Sequence, residues 1–392
     1  MASDPKYLVG WMSEAFYLTF TGRTNSYLLT KLAFNLPYFL FAANTLSKNG
    51  RITPQFYIYP TYAHGTVIHK PFCVSNALSG CSKEVVSLAV LERFVLESYC
   101  VCCLAFQCKE DGKDKCLVEI VKFLEDEIYE FNKWEKIFTH TLLDFSSSNF
   151  SMLPSFDHSN IFLLCSIDPD ASISMFTVST VNGSASVLDA PVLDIENVDK
   201  ESVLFIDSIK DKNLRITALC CNSGRLQLNI VNSSNKQESS YYIYWDGPLT
   251  RVQLFHSAND LRLLVCGAIE PAAIYYNVLK GLSNAKILLE SQETDCIVCS
   301  TVFDIDFDGE CEILLGSYSG ELLVYKEQPK IGYLLYFKRK FSSPLYSLYP
   351  VDITGDGLYE LLVFTRDSIH IMQHDVDEVL KIFKERLCSI TA

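Results

Sequence analysis

The chain has 392 residues, 49% hydrophobic and 12% aromatic, and a formal net charge of −14 from 33 basic and 47 acidic side chains. Enough apolar surface is present for a large core, which excludes an intrinsically disordered chain. The acidic balance argues against nucleic acid or an anionic membrane surface as a broad partner.

The 15 cysteines are odd in number and sit in apolar runs such as Cys100-Val-Cys102-Cys103 and Leu219-Cys220-Cys221. Free cysteine packs as a small hydrophobe in a reducing compartment. A cytoplasmic chain without a disulfide framework is expected. The start, Met1-Ala-Ser-Asp-Pro-Lys6, does not read as a signal peptide. Leu28 to Leu46 is apolar and about long enough to span a bilayer. It is interrupted by Lys31, Asn35 and Pro37, so two strands joined at Asn35-Leu-Pro37 are expected rather than a transmembrane segment.

Taken in chain order, the apolar runs form short strands separated by polar turns. Ser26 to Leu29 with Tyr38 to Ala43, and Val85 to Leu88 with Tyr99 to Gln107, give two early units. Asn160 to Cys165, a turn at Asp168-Pro-Asp170 and Ser172 to Phe176 give another. From residue 203 the units become regular. Each opens with a strand ending near Asp207, His256, Asp304 or Asp352 and continues with a second strand. Small-residue turns such as Ser223-Gly224 and Ser319-Gly320 lead to a third. The count is seven units, roughly one per 50–56 residues. Short strands at this period predict an all-β fold, a seven-bladed β-propeller over 14–374. Lys122 to Phe138 interrupts the pattern with a helical spacing and reads as a helical or irregular insertion. The tail, 375–392, reads as a short amphipathic C-terminal helix. Val376, Val379, Leu380, Phe383 and Leu387 share one face, which predicts packing on the propeller or on a partner.

One constellation carries chemical specificity. Asp304-Ile-Asp-Phe-Asp308-Gly309-Glu-Cys-Glu312 recurs 48 residues later as Asp352-Ile-Thr-Gly-Asp356-Gly357-Leu-Tyr-Glu360. Carboxylates at alternate positions on a tight glycine turn can surround a hard cation. Asp304, Asp306 and Asp308 would offer side-chain oxygens, Glu310 its backbone carbonyl, and Glu312 would close the shell. Asp352, Asp356 and Glu360 form a weaker set, because Thr354 and Leu358 replace an acid and a further polar position. Structural Ca²⁺ is therefore a candidate cofactor. Asp and Gly at these positions equally make a metal-free hydrogen-bonded turn. Asp207-Ser-Ile-Lys-Asp-Lys-Asn213 carries two lysines and reads as inactive toward metal.

Other patterns carry less. Cys296-Ile-Val-Cys299 would point its thiols to opposite faces of a strand. His370 and His374 share a strand face and read as exposed polar residues. Gly316-Ser-Tyr-Ser-Gly320 has a tyrosine where a nucleophile elbow needs serine. No phosphate loop or catalytic set is legible, and the chain is not expected to be an enzyme. Tyr57, Tyr59, Tyr62, Tyr241, Tyr242, Tyr244 and Trp245 fall in loop-like stretches where aromatic residues serve interfaces or blade packing.

The acidic turns, without a recurring Trp-Asp pair, place the repeat nearer the integrin-type (FG-GAP) propellers. From about residue 80 the chain resembles the kaptin family. The stretches that carry this include Lys83 to Leu88, Phe162-Leu-Leu with Asp168-Pro-Asp170, Asp246-Gly-Pro-Leu-Thr-Arg-Val252 and Glu270-Pro-Ala-Ala-Ile-Tyr275. Asp304 to Glu312, and Phe341 through Val351-Asp-Ile-Thr-Gly-Asp-Gly-Leu358 to His374, complete the set. The resemblance implies a non-enzymatic propeller in a KICSTOR-like complex at the lysosomal surface. There it would pair with a second integrin-type propeller on a large scaffold subunit, recruit GATOR and restrain TOR complex 1 when nutrients are scarce. An actin-associated cytoskeletal adaptor is the alternative that the same resemblance leaves open.

Overall fold

The computed structural model describes residues 7–8, 12–19, 23–32, 38–46, 52–60, 72–73, 84–90, 99–110, 113–124, 133–143, 150–154, 160–167, 172–179, 185–188, 203–234, 236–257, 260–352, 357–366 and 368–391. The strands are β1 (Tyr7–Leu8), β2 (Met12–Thr19), β3 (Arg23–Leu32), β4 (Tyr38–Leu46), β5 (Ile52–Pro60), β6 (Phe72–Cys73), β7 (Glu84–Val90), β8 (Tyr99–Glu110), β9 (Lys113–Leu124) and β10 (Glu135–Leu143). They continue as β11 (Phe150–Pro154), β12 (Asn160–Ile167), β13 (Ser172–Ser179), β14 (Ala185–Leu188), β15 (Val203–Asp211), β16 (Leu214–Cys221), β17 (Arg225–Asn232), β18 (Gln237–Tyr244), β19 (Leu249–Ser257) and β20 (Asp260–Gly267). The last are β21 (Ala273–Tyr275), β22 (Ala285–Ile287), β23 (Ile297–Phe303), β24 (Glu312–Ser317), β25 (Glu321–Gln328), β26 (Gly332–Lys340), β27 (Leu345–Val351), β28 (Glu360–Thr365) and β29 (Ser368–His374), followed by helix α1 (Val376–Thr391).

These strands form antiparallel sheets in two compact units. One unit comprises Thr24–Thr61 and Ile68–Ile287. It holds five four-stranded sheets: β3–β6, β7–β10, β11–β14, β15–β18 and β19–β22. The other comprises Met1–Arg23, Tyr62–Val67 and Leu288–Ala392. It holds β23–β26 and a five-stranded sheet in the order β1-β2-β29-β28-β27. Neighbouring strands in every sheet follow the chain, with one exception. In the last sheet β2, from the start of the chain, pairs with β29 from its end, from Met12 opposite His374 to Thr19 opposite Ser368.

Burial explains which runs occupy which place. The second strands are buried on both faces: β16 and β20 after their first residue, β24 and β28 throughout. Such strands read as unbroken apolar runs. Fourth strands are half-solvated, and exposed residues alternate along β18 and along β26 after Tyr333. Opening strands share a device as well. Their register slips at Val203/Phe205, Leu249/Arg251, Ile297/Cys299 and Leu345/Ser347. A bulge at one fixed place bends each opening strand alike. Opening strands also bring successive sheets together within a unit, β15 against β19 and β23 against β27.

Several expectations are corrected. The insertion read at 122–138 is strand at both ends, since β9 runs to Leu124 and β10 begins at Glu135. Phe123 stacks on Trp134 with centroids 3.8 Å apart, and buried Glu119 pairs across the hairpin with Lys136 at 2.8 Å. These cross-strand contacts fix the two ends of the stretch; residues 125–132 lie outside the described residues. β19 ends one residue after His256, as expected, whereas β15 runs on past Asp207 to Asp211. Tyr57 and Tyr59 belong to β5, and Tyr241, Tyr242 and Tyr244 to β18. The turns at 35–37 and 168–170, and Tyr62, lie outside the described residues.

A candidate cation site on the repeated acidic loop

Between β23 and β24 the chain makes a wide turn, Asp304 to Cys311, anchored by Ile305, which is fully buried. Asp304 organises it by accepting the backbone N–H groups of Asp308 at 3.1 Å and Gly309 at 2.8 Å, one on each carboxylate oxygen. Asp308 accepts the Glu310 amide at 2.9 Å. These are the side-chain-to-backbone bonds that make Asp a turn residue. Phe307 and Gly309 take left-handed backbone conformations, with φ of 60° and 91°. Glu312, at the start of β24, is buried and accepts the Ile305 amide at 2.9 Å. Tyr333 on β26 donates to the Cys311 carbonyl at 3.0 Å. Phe307 lies 4.9 Å from the His374 ring and 5.9 Å from Phe383 of α1, so the loop and the helix share an aromatic contact.

Among the described residues, Asp304, Asp306 and Glu312 bring carboxylate oxygens within 4.8 Å of one another. Lys326 on β25, which the spacing of acids did not reveal, enters the cluster. Its Nζ donates to Asp306, to Asp308 at 2.8 Å, and lies 3.6 Å from Glu312. The register held the signal. Ile313 pairs with Tyr325, so the next position along sets Glu312 beside Lys326.

Electrostatics follow from the crowding. Burial first, then the charge of Asp306, pushes the Glu312 carboxyl up to about 8, against the pull of the Ile305 amide and the Lys326 ammonium. Burial also raises Asp304, against the pull of the Gly309 amide. Burial works to lower Lys326, but its bonds to Asp306 and Asp308 outweigh it and hold the ammonium above its usual range. The Cys311 thiol rises to about 11 through burial and the neighbouring acids. As a calcium site the set fits poorly. Calcium takes six to eight oxygens, and here a tethered cation already touches three of the carboxylates.

The second loop repeats the turn with less charge. Gly357 donates to Asp352 at 3.0 Å, as Gly309 does to Asp304. Buried Glu360 accepts from Gln373 at 3.4 Å. Thr354 and Asp356 lie outside the described residues. Asp207, by contrast, is a brace: it accepts the amides of Ser208 at 2.9 Å and of Leu254, on the next sheet, at 2.6 Å. Cys299 is buried against the Leu345 carbonyl, while Cys296 is half-buried. His370 packs on Phe341 and bonds Ser368, so it and His374 are half-buried in ring contacts rather than exposed. Tyr318 is a half-exposed turn residue.

Comparison with known proteins places these sheets. A family model described as "KICSTOR complex protein kaptin" matches residues 160–384. Mouse KICSTOR complex protein kaptin is 35% identical over 205 residues, covering 47% of this chain and 48% of that protein. The chain thus spans about half the length of the curated relative it matches. Among solved structures, BBS1N in complex with ARL6DN aligns with TM-score 0.56 at 11% identity, over 93% of this chain and 97% of that one. Raptor of Chaetomium thermophilum aligns with TM-score 0.55 at 8% identity, over 93% of this chain and 29% of that one. At such identities the likeness speaks for the fold alone. Among the described residues the fold is mostly β-strand, in several antiparallel sheets with one short α-helix, and its neighbours are propeller-like. Among the described residues no helix is long and apolar enough to cross a membrane.

Proposed function

The chain belongs to the family of the KICSTOR complex protein kaptin, and from that premise we propose that it is a non-enzymatic interaction subunit of a KICSTOR-like complex. The observation that carries this reading is the family match across residues 160–384. In the proposal, seven blades over 14–374 form a propeller that presents a face or blade edge to a second integrin-type propeller and a large scaffold subunit. The complex recruits GATOR to the lysosomal surface and restrains TOR complex 1 when amino acids or glucose are scarce. Obligate pairing of this kind buries more than about 2,000 Å². Exposed aromatic residues on the sheets, among them Tyr242, Tyr244 and Tyr336, suit such a surface.

Affinity purification of the tagged protein from its own cells, fed and starved, tests the proposal. Near-stoichiometric recovery of a second propeller with GATOR subunits is expected. Recovery of actin and its regulators in their place would transfer the function to a cytoskeletal adaptor.

A further inference from the structure

We infer that Lys326 is the resident cation of the Asp304–Glu312 loop, placed where an acidic turn of this kind otherwise holds calcium, so that the loop folds without metal. Three observations meet here. First, an ammonium has three donors and no acceptor, and three carboxylates face it: Asp306, Asp308 and Glu312. Second, the contact is not a solvated rim pair. Glu312 is 1% exposed, Asp306 7% and the lysine side chain 19%. Carboxylates crowded at that depth repel one another strongly, and either a proton or an opposite charge within reach relieves them. The lysine supplies it from the neighbouring strand of the same sheet. A divalent ion arriving at the same point would meet that ammonium at a few ångströms.

Third, the donor on the third strand tracks the acids across the repeat. In the last sheet Leu361 pairs with Met372, so the next position sets Glu360 beside Gln373. There the loop has lost an acid to Thr354, and a neutral amide bonds Glu360 where the ammonium serves Glu312. Counted from its own hairpin, the β16–β17 pair puts Ile216 opposite Ile230 at this place. That sheet has neither acid nor donor here. Charge on one strand is matched by charge, amide or nothing on the next.

The test needs no partner protein. Thermal melting of the full chain in EDTA and in about 1 mM calcium chloride, a range in which calcium modules of modest affinity fill, is paired with tyrosine-sensitised terbium emission. Wild type is expected to melt identically in both buffers and give no terbium signal. Lys326→Met should melt several degrees lower in EDTA, recover in calcium and bind terbium. Should that variant not fold in EDTA, Lys326→Gln, which copies the pairing at Gln373, keeps donors without charge and should also gain the calcium response. A calcium-dependent rise in wild type that Asp306→Asn abolishes would overturn the inference. So would a failure of both lysine variants to acquire any response to calcium.

Discussion

At the scale of the residue, carboxylates do two different jobs, and each predicts a different phenotype. Asp304 is a turn-former with two backbone N–H groups on its oxygens. Asp304→Ala with Asp308→Ala should lower stability by about 1–2 kcal/mol, the scale of losing such local bonds in a half-exposed loop. Recovery of partners in the pull-down should stay near the wild-type level, since neither side chain is needed to fold the sheets. Asp207 is a half-buried brace, and desolvation pushes its carboxyl from the ordinary 3.8 up to about 6, against the two amides that bond it. The folded state therefore holds the proton more tightly than the unfolded one. This contribution to stability is whole below 3.8 and is lost as pH rises through about 6. Urea midpoints measured across that window should fall with pH in wild type and flatten in Asp207→Asn. The sequence marked Asp207 as a failed metal anchor. The bond to Leu254 joins two sheets and has no local signature in the chain.

At the scale of the element, two turns use glycine in the same way. Gly224 and Gly320 sit at φ of 87°, donate three residues back to Cys221 and Ser317, and accept from Trp245 and Phe341. A methyl group on Gly320 would meet the Ser343 carbonyl oxygen at 2.6 Å and that of Phe341 at 2.9 Å. Left-handed strain and a backbone clash combine there, so Gly320→Ala should cost at least about 2 kcal/mol, read from denaturant unfolding. Both turns were legible, because a Ser-Gly step between apolar runs has a mechanism. The long loops were legible as turns too. Their cation was not, because Lys326 lies 14 positions beyond Glu312 in sequence and meets it only through strand register. The helix was predicted from its apolar stripe, and the stripe divides in the structure. Val379 is 2% exposed, whereas Leu380 and Leu387 are 48% and 61% exposed. Val379→Asp should destabilise by more than about 2 kcal/mol in thermal or urea unfolding. Leu380→Ser with Leu387→Ser should leave the midpoint unchanged.

At the scale of the whole molecule, the repeat made the fold readable: the period of 48 residues, the bulged opening strands and the buried second strands all recur. What periodicity does not reveal is which strand completes the last sheet, since a partner hundreds of residues away leaves no local trace. That partner is β2, and its pairing with β29 has a consequence for how the molecule is made. During translation β2 leaves the ribosome early, and β29 follows about 350 residues later. At roughly 5–20 residues per second the first strand waits on the order of 20–70 s for its mate. Through that interval the edge of β2 that will meet β29 stays unpaired, which is a template for misassembly. The nascent chain should therefore depend on chaperones until its final strand emerges, and variants that slow synthesis of the last sheet should lower yield without altering the stability of the molecules that finish.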